Sequence, residues 1–404
     1  MEREVDIVIC GGGLVGLMFA NLLVQSPFRL AIIDAGAKPQ STGDAATAES
    51  NAGYDLNSGY APRVSALNAN SISLLQRCGL MNDLGRHAKF QKMLVRDGEG
   101  SADICFSASD LGLDELGMVI ENHLVIEALY QRLVQFDQVD LCYDVSVEDI
   151  AILDNGAEIE LSDGSTLNCD LLVGADGGNS RVRELAGLKV AGWSYDQSAI
   201  VTTIQTERPH DNIPRQWFTA EGPLAFLPLA DPNLCSVVWS HTDATKLLEL
   251  DAREFCQRLS DASEEELGQL VAADRRFSFP LKQQHAYRYV KRGVALIGDA
   301  AHTIHPLAGQ GANLGLADAE ALALEIRQTV FSEERPGDLK LLRRFARARQ
   351  PHNLAIAGAM ETLKRLYGSQ FPAIGWLRNQ SMRFLNQNNA LRGLVMRLAS
   401  GQRP

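Results

Sequence analysis

The sequence has no run of about 18 apolar residues, so it contains no segment with the length of a membrane-spanning helix. Its seven cysteines include no C-x-x-C pair, which argues against a zinc site and favours buried thiols in a reducing cytosol. Positive charge is also scarce, because 38 Lys and Arg stand against 50 Asp and Glu, and the formal charge is -12. This balance disfavours nucleic acid as a partner. The N-terminus has no signal-peptide pattern, so we predict a cytoplasmic protein.

What the sequence has in quantity is the apolar and glycine-rich chain of a globular protein. Its 404 residues are 46% hydrophobic and include 34 glycines, enough for two domains with large cores. The order of apolar runs predicts an α/β fold in which an antiparallel sheet is inserted between elements of a first domain. A helical C-terminal region follows.

Apolar periodicity places the main elements. Val5–Cys10, Leu14–Val24 and Leu30–Asp34 form a β-α-β unit of about 30 residues. A long loop rich in Gly, Ala, Ser and Thr follows over 36–62. The further predicted elements are helices over Ser65–Cys78, Asn122–Phe136 and Ala312–Thr329, hairpin turns at 154–156 and 162–164, strands at Leu171–Val173, Ile200–Thr206, Gln216–Thr219, Leu224–Leu229, Cys235–Ser240 and Val294–Ile297, and helix to the end.

A glycine-rich turn joins the first strand to the first helix. Gly11, Gly13 and Gly16 form G-x-G-x-x-G, with Leu14 and Val15 between the last two glycines. Glycines suit a tight turn, a close approach of the backbone to a diphosphate, and close helix–strand packing. The free amides and the positive end of the helix then bind the diphosphate. The motif predicts a dinucleotide site but does not separate FAD from NAD.

Three acidic residues each follow a predicted strand. Asp34 ends the second strand, where its carboxylate can accept hydrogen bonds from ribose hydroxyls. Asp176 begins Asp-Gly-Gly-Asn-Ser-Arg after Leu171–Val173, and Asp299 stands in a Gly-Asp pair after Val294–Ile297. The segments that contain the second and third acids decide the cofactor.

The three blocks, in this order and spacing, resemble the flavin-dependent aromatic hydroxylases (class A monooxygenases). In that family a glycine loop, an Asp-Gly segment and a Gly-Asp segment jointly bind FAD. The run H-P-L-A-G-Q-G-A-N-L-G-L-A-D over 305–318 resembles the branch that hydroxylates ubiquinone precursors. The resemblance implies a Rossmann-type FAD-binding domain, an inserted substrate domain and a helical region, with these boundaries: 1–80, 120–185 and 290–335 for the first, 81–119 and 186–289 for the second, and 336–404 for the third.

The resemblance also implies the activity. NAD(P)H would bind transiently and reduce FAD, and a C4a-hydroperoxyflavin formed with O2 would hydroxylate the ring of a polyprenylated phenol in ubiquinone biosynthesis. Membership of a ubiquinone-biosynthesis protein complex is a further expectation. Two alternatives stay open: a flavin-dependent reductase or oxidase of an isoprenoid substrate, and an FAD-bound scaffold inside that complex.

Several residue roles follow from the resemblance. Asp299 would bind the ribityl chain of FAD, and Arg63 would contact its diphosphate. Pro306 would lie against the flavin ring on the reacting side, with His305 as a candidate acid–base residue. Asn122 stands where relatives have Gln or Arg near the ribityl. The remaining predicted contacts are backbone amides that open a helix and stabilise negative charge at the N1/O2 edge of reduced flavin: Gly309, Gln310, Gly311, Ala312 and Asn313.

The pair His302 and His305 has the spacing H-x-x-H, which invites comparison with metal sites. A helical metal pair needs a third ligand and i, i+4 spacing, and no Glu lies beside these residues. Pro306 also interrupts any helix there. We therefore predict no metal.

Four aromatic residues fall on the predicted antiparallel sheet: Trp217, Phe218, Phe226 and Trp239. Alternation along a strand places Phe226 and Pro228 on the same face. The sequence does not decide whether each aromatic side chain belongs to a substrate pocket or to the core of the sheet.

The C-terminal region is strongly basic. From Leu339 onward it has twelve Lys and Arg and one acid, Glu361. Two interpretations stay open: the region contacts an anionic surface, such as the inner membrane or a partner, or it packs against the acidic body of its own chain. Four arginines are interleaved with apolar residues as in an interfacial helix: Arg378, Arg383, Arg392 and Arg397.

Overall fold

In a computed structural model, the described residues are 2–39, 56, 58–98, 103–304, 309–367, 380–382, 384–388, 391–393 and 396–397. The strands β1 to β20 are Glu2–Cys10, Leu30–Ile33, Val64–Asn68, Ala88–Phe90, Lys92–Asp97, Asp103–Ser107, Gly117–Glu121, Val139–Cys142, Val147–Leu153, Gly156–Leu161, Thr166–Gly174, Val190–Thr206, Arg215–Phe218, Pro223–Pro228, Leu234–His241, Leu270–Ala273, Phe277–Ala286, Val290–Lys291, Val294–Leu296 and His302–Thr303. The helices α1 to α8 are Leu14–Leu23, Ala69–Arg77, Asn122–Leu133, Arg181–Leu185, Ala244–Glu249, Ala252–Ala262, Gln310–Thr329 and Leu339–Tyr367. Short 3-10 helices span Ala108–Leu111 and Gly298–Ala300.

The first sheet is built on the predicted β-α-β unit. β1 pairs in parallel with β2 and β11, and β11 pairs in parallel with β19. The order across the sheet is β18-β19-β11-β1-β2-β8, and the β9–β10 hairpin adds to β11. Ile7, Val8 and Ile9 have no exposed surface, as expected of a parallel strand covered on both faces. The carboxyl ends of β1, β2, β11 and β19 therefore lie at one edge, where ligands bind in such sheets.

The second sheet is antiparallel apart from one pair of strands. Its order is β20-β17-β12-β15-β14-β13-β5-β6, with β16 beside β12, and only β13 and β5 among these described strands run in parallel. A small third sheet has the order β3-β7-β4. These sheets confirm the predicted α/β class with an antiparallel sheet, while the domain boundaries stay a prediction.

The predicted helix over Ser65–Cys78 is wrong at its start. Val64–Asn68 is strand β3, which pairs antiparallel with β7, and its buried and half-buried residues alternate. Helix α2 begins only at Ala69, because the Asn68 side chain accepts a 2.9 Å hydrogen bond from the Ser71 amide and caps the helix. The alternation of so short a strand resembles one turn of a helix when it directly precedes a real one.

The basic C-terminal region begins with α8, and two of its described arginines form ion pairs with the rest of the protein. Arg344 pairs with Glu325 and Glu334, and the Arg392 guanidinium pairs with Asp110 at 2.7 and 2.8 Å. For these residues the second interpretation, packing against the acidic body of the same chain, is the better supported. Among the described residues, no helix is long and apolar enough to cross a membrane.

Candidate functional site

Three of the sequence motifs meet around Val15 in α1. A Cβ atom at Gly315 in α7 would lie 2.6 Å from Val15 Cγ2 and 3.2 Å from the Cα of Gly298. A Cβ atom at Gly298 would lie 3.2 Å from Val15 Cγ2. The glycine loop, the Gly-Asp turn and the G-x-N-x-G helix are thus in close contact, and glycine is what permits that contact.

The glycines of the loop have different surroundings. Gly11 has φ +119°, and a Cβ there would lie 2.3 Å from the carbonyl oxygen of Ala175. A Cβ at Gly16 would lie 2.0 Å from the carbonyl oxygen of Gly11. At Gly13, the N-cap of α1 ahead of Leu14, such a Cβ would have no atom of the described residues within 4 Å. The opening at the N-terminus of α1 fits the diphosphate of a dinucleotide.

Asp34 follows β2 and borders a cavity beside the loop. Its carboxylate oxygens accept hydrogen bonds from the amides of Gly12 at 2.5 Å and Gly36 at 2.7 Å. Each oxygen keeps a second lone pair for a hydroxyl donor. The cavity has a volume of about 260 Å³ and is also lined by His123 and Tyr143. Burial, followed by the charge of Asp34, raises the pKa of Tyr143, so its hydroxyl, which has no partner among the described residues, is a neutral donor here.

Asp176 follows β11 and lies in a segment that is tied to the Gly-Asp turn. Its Oδ2 accepts a 3.0 Å hydrogen bond from the amide of Val182, while its buried Oδ1 has no partner among the described residues. The buried guanidinium of Arg183 donates to the carbonyl of Ala300 at 2.9 Å and to that of Gly178 at 2.8 Å. Arg183 therefore holds the Asp-Gly and Gly-Asp segments together.

Asp299 is exposed, although protein surrounds it closely enough to change its ionisation. Desolvation raises the pKa of its carboxyl group, and the charges of His302 and Arg63 offset part of that rise. Arg63 is also exposed, and its guanidinium carbon lies 5.0 Å from the centre of the Phe279 ring. An open carboxylate with a cation nearby suits the hydroxyls and the diphosphate of a dinucleotide.

Helix α7 begins with the glycine-rich turn that follows the Gly-Asp segment. Gly309 is its N-cap in the left-handed conformation, with φ +62°, and no side chain caps the helix. The amides of Gln310, Gly311 and Ala312 thus have no acceptor within the helix. The buried Oε1 of Gln310 also has no partner in the part of the chain that the structure describes.

Both polar atoms of the Asn313 side chain, by contrast, form hydrogen bonds inside the protein. Its Oδ1 accepts hydrogen bonds from the Asn68 amide at 2.9 Å and the Ser71 hydroxyl at 2.7 Å. Its Nδ2 donates to the carbonyls of Ala66 at 2.9 Å and Gly309 at 3.0 Å. Asn313 therefore fixes α7 to β3, and only its backbone is left for the predicted cofactor contact.

A buried polar network lies beneath the Gly-Asp turn. Asp318 Oδ2 accepts a 3.2 Å hydrogen bond from the Gly298 amide and lies 2.5 Å from His302 Nε2. Its Oδ1 accepts hydrogen bonds from Arg349 Nε at 2.8 Å and Asn353 Nδ2 at 3.0 Å. Burial alone would raise the pKa of Asp318, but these cations and hydrogen bonds hold it at about 2. The ionised Asp318 thus connects the turn to α8.

Three predicted site residues remain. The Asn122 amide donates a 3.0 Å hydrogen bond to the Arg63 carbonyl, and its buried side-chain Oδ1 has no partner among the described residues. His305 and Pro306 lie outside the described residues, so their roles stay predictions. Of the candidate metal pair, the described member, His302, contacts Asp318 in the network above.

An apolar cavity lies between the start of α7, the antiparallel sheet and the C-terminal region. Its volume is about 470 Å³, and Gly309 and Gln310 border it on one side. Phe218 lines the opposite wall and stacks on Tyr367, with ring centres 3.8 Å apart. Further lining residues are Met93, Val95, Ile104, Ala225, Leu227, Val238, Met360, Met382 and Met396. Such a cavity suits an apolar ligand of moderate size.

The four sheet aromatics divide between the two faces. Trp217, Phe226 and Trp239 pack with Phe255 of α6 in a separate core. Phe218 faces the cavity instead, one position along the strand from Trp217. Three of the four aromatics thus belong to a sheet core, whereas the assignment of Phe218 to a substrate pocket stays a prediction.

Comparisons with known proteins now define the class. Residues 57–357 match the family described as FAD binding domain. The chain is 32% identical to ubiquinone biosynthesis monooxygenase COQ6 of Xenopus tropicalis, covering 98% of this chain and 93% of the relative. It is 32% identical to 3-demethoxyubiquinol 3-hydroxylase of Escherichia coli (strain K12), covering 99% of both.

The solved structure of p-nitrophenol 4-monooxygenase PnpA from Pseudomonas putida DLL-E4 has the same fold, with a TM-score of 0.79, 19% identity and 100% of both chains covered. The fold and the site thus define a flavin-dependent aromatic hydroxylase. The chain belongs to the FAD-binding family of these enzymes, in the branch of the ubiquinone-biosynthesis monooxygenases. The resemblance predicted from the motifs is confirmed.

The fold also brings to the site residues that the sequence motifs did not indicate. Tyr143 directly follows β8, the parallel neighbour of β2, so the rule that ligands bind at carboxyl ends of strands could have identified it. Arg349 and Asn353 had no local pattern, because they reach Asp318 from a helix more than 30 positions later in the chain.

Proposed function

We propose that this chain is an FAD-dependent monooxygenase that hydroxylates the aromatic ring of a polyprenylated phenol in ubiquinone biosynthesis, with NAD(P)H and O2 as co-substrates. The observation that carries the proposal is the apolar cavity of about 470 Å³, which reaches the N-terminus of α7 at Gly309 and Gln310. Its size and apolar lining suit a prenylated ring. Two relatives support it by their names, one a ubiquinone biosynthesis monooxygenase and the other a 3-demethoxyubiquinol 3-hydroxylase.

Bound FAD would supply transfer of electrons from NAD(P)H and activation of O2. The residues of the chain would bind and orient it. The opening at Gly13 would take the diphosphate with Arg63, Asp34 would bind a ribose, and Asp299 would bind the ribityl hydroxyls. The amides that open α7 would face the flavin edge that becomes negative on reduction.

The apolar cavity contributes by excluding water from the reacting ring. Its wall of Phe218, Tyr367 and methionines would hold the ring and the start of the prenyl chain against the cofactor. Pro306 and His305, which follow the Gly-Asp turn in sequence, are proposed to border the reacting face. His305 is the candidate acid–base group.

The test uses purified holoenzyme with a polyprenylphenol, NADPH and isotopically labelled O2. Product that carries one labelled oxygen on the ring is the expected result. A product saturated in its isoprenoid part would instead support the reductase alternative. Tight FAD without turnover of NADPH or phenol would support the scaffold alternative.

We also propose that the enzyme meets its water-insoluble substrate through peripheral membrane contact at the cavity. Phe384 is 61% exposed and directly precedes Leu385, which lines the cavity. Arg392 is largely buried and forms an ion pair with Asp110, so it is not part of the proposed contact. Phe384→Ser should weaken co-sedimentation with phosphatidylglycerol vesicles, whereas Phe331→Ser, at a residue 92% exposed after α7, should not. Equal effects would contradict the proposal. Membership of a protein complex stays a prediction.

A further inference from the structure

A single row of side chains crosses the wall of the apolar cavity from strand to strand. Ile104 pairs with Val95, Val95 with Gln216, Gln216 with Ala225, and Ala225 with Val238. All five residues line the cavity. Four of them are aliphatic, so Gln216 places one amide in an otherwise apolar row.

The Gln216 side chain is buried but has no hydrogen-bond partner in the described part of the chain. The residue is 5% exposed, and its amide makes no hydrogen bond to any described residue. Its polar atoms are not sealed inside protein, as the unpaired Trp217 Nε1 is, so they are open to the cavity. A buried amide without a partner is unfavourable, and an aliphatic side chain would be more stable in the same place. The amide is explained if a ligand supplies the partner.

The other polar residues of the cavity have partners or lie elsewhere. Asn313 is bonded to the backbone and to the Ser71 hydroxyl, as described above. The guanidinium of Arg215 donates to the carbonyls of His210 and Ile213, at 2.8 and 2.9 Å. Gln310 belongs to the wall formed by α7. On the described sheet wall, Gln216 is therefore the polar group available to a substrate.

We infer that Gln216 binds the ring oxygen of the phenolic substrate and so sets the orientation of the ring in the cavity. This inference rests on the function proposed above. A side-chain amide is both donor and acceptor and does not titrate, so it can bind the neutral phenol and the phenolate. Its N–H donates to the phenolate oxygen and so favours the phenolate over the neutral phenol. The ring of the phenolate is more electron-rich than that of the phenol, which favours its reaction with an electrophilic oxygen. No proton is taken up by Gln216 itself.

The test compares two ligands of the oxidised holoenzyme: a polyprenylphenol and the polyprenylbenzene that lacks its hydroxyl group. Binding is followed by the change in the absorbance of bound FAD. The wild type should prefer the phenol by about 10- to 100-fold, as for loss of one hydrogen bond to a group that carries charge. Gln216→Met, which keeps the length of the side chain, should reduce that ratio to about one.

The stability of the Gln216→Met variant distinguishes a role of Gln216 in ligand binding from a structural role. Gln216→Met should keep FAD and unfold at the same temperature as the wild type or higher, because it removes an unpaired buried amide. Gln257→Met is the matched control, since it makes the same exchange at an exposed position of α6 outside the cavity and keeps the Gln216 amide. It should retain the preference for the phenol. Gln216→Glu should raise the apparent pKa of the bound phenol, because a carboxylate disfavours phenolate.

Two outcomes would overturn the inference: a Gln216→Met protein that still prefers the phenol as the wild type does, or one that unfolds at a lower temperature and loses FAD. The proposed function fails separately, if the wild type incorporates no labelled oxygen. A wild type that hydroxylates, together with an unchanged ligand preference in Gln216→Met, would remove only the role of Gln216.

Discussion

Buried polar groups have hydrogen-bond partners within the protein on one side of the site, whereas on the other side one of them borders a cavity without such a partner among the described residues. Beneath the Gly-Asp turn, Asp318, His302, Arg349 and Asn353 bond to one another within the protein. In the cavity wall, Gln216 has no partner among the described residues and faces open space. A paired buried group fixes the position of the backbone, and an unpaired one that borders a cavity is available to a ligand. The comparison thus separates residues that shape the site from residues that bind in it.

The largest effect is expected from breaking the network at Asp318. Asp318→Ala leaves Arg349 and His302 buried without their shared carboxylate, which should lower the free energy of unfolding by about 3–5 kcal/mol. Denaturant titration of the holoenzyme measures this. The control is Lys340→Ala, which breaks an ion pair to Glu334 from a side chain 83% exposed and should leave the free energy of unfolding nearly unchanged. A similar small loss in both variants would show that the network is not a structural support.

The glycine loop allows the same comparison between packed and open positions. Gly16→Ala would place a Cβ 2.0 Å from the Gly11 carbonyl, so we expect a loss on the order of 3 kcal/mol in stability even without FAD. A Cβ at Gly13 would meet no described protein atom within 4 Å, and Gly13 has φ -83°, so the apoprotein of Gly13→Val should keep its stability. It should still lose FAD, because the side chain takes the space of the diphosphate. Thermal unfolding of apoprotein and FAD titration measure the two effects; tight FAD in Gly13→Val would contradict the role of the loop.

Replacement of Asp299 tests a residue that is expected to bind the cofactor and not to support the fold. Asp299→Ala should raise the dissociation constant of FAD by about 5- to 150-fold, since a hydrogen bond to a charged group contributes about 1–3 kcal/mol. Its apoprotein should be no less stable than the wild type, because desolvation already disfavours the ionised carboxyl group, whose pKa is raised. Equilibrium dialysis of FAD and apoprotein unfolding provide the two measurements. A variant that binds FAD normally would exclude Asp299 as a cofactor ligand.

The sequence was sufficient where the physics is local. The β-α-β unit and the acid after β2 depend on patterns within about 30 residues, and the predicted bounds of the three elements lie within three residues of the observed ones. Strand β3 was missed, because five residues are too few to distinguish the alternation of a strand from the periodicity of a helix. The choice between Phe218 and Trp217 for the cavity depended on which face of the sheet α6 covers, and no pattern along the strand contains that information.

The site itself was predictable only in part for the same reason. Residues of the glycine loop could be named, because their types follow from the turn that they form. The partners of Asp318 could not, since Arg349 and Asn353 come from the basic region, where charge alone left two interpretations open. Gln216 had no sequence pattern at all. Its importance depends on its aliphatic neighbours on four adjacent strands, which only the strand register reveals.

The smallest expected effect lies at the edge of the network, where His285 Nε2 is 3.4 Å from the Tyr289 hydroxyl. Burial, followed by the charge of His302, lowers the pKa of His285 from 6.5 to about 4. As the pH decreases, the unfolded chain therefore binds a proton near pH 6.5, whereas the folded protein binds it only near pH 4. Stability consequently falls as the pH decreases through that window. Between pH 7 and pH 5, His285→Gln should lose about 1 kcal/mol less than the wild type in urea unfolding. Other histidines with lowered pKa, such as His210 and His241, are present in both proteins and cancel in the difference. If the wild type and His285→Gln lose the same stability between pH 7 and pH 5, the loss of stability at acid pH arises outside the network.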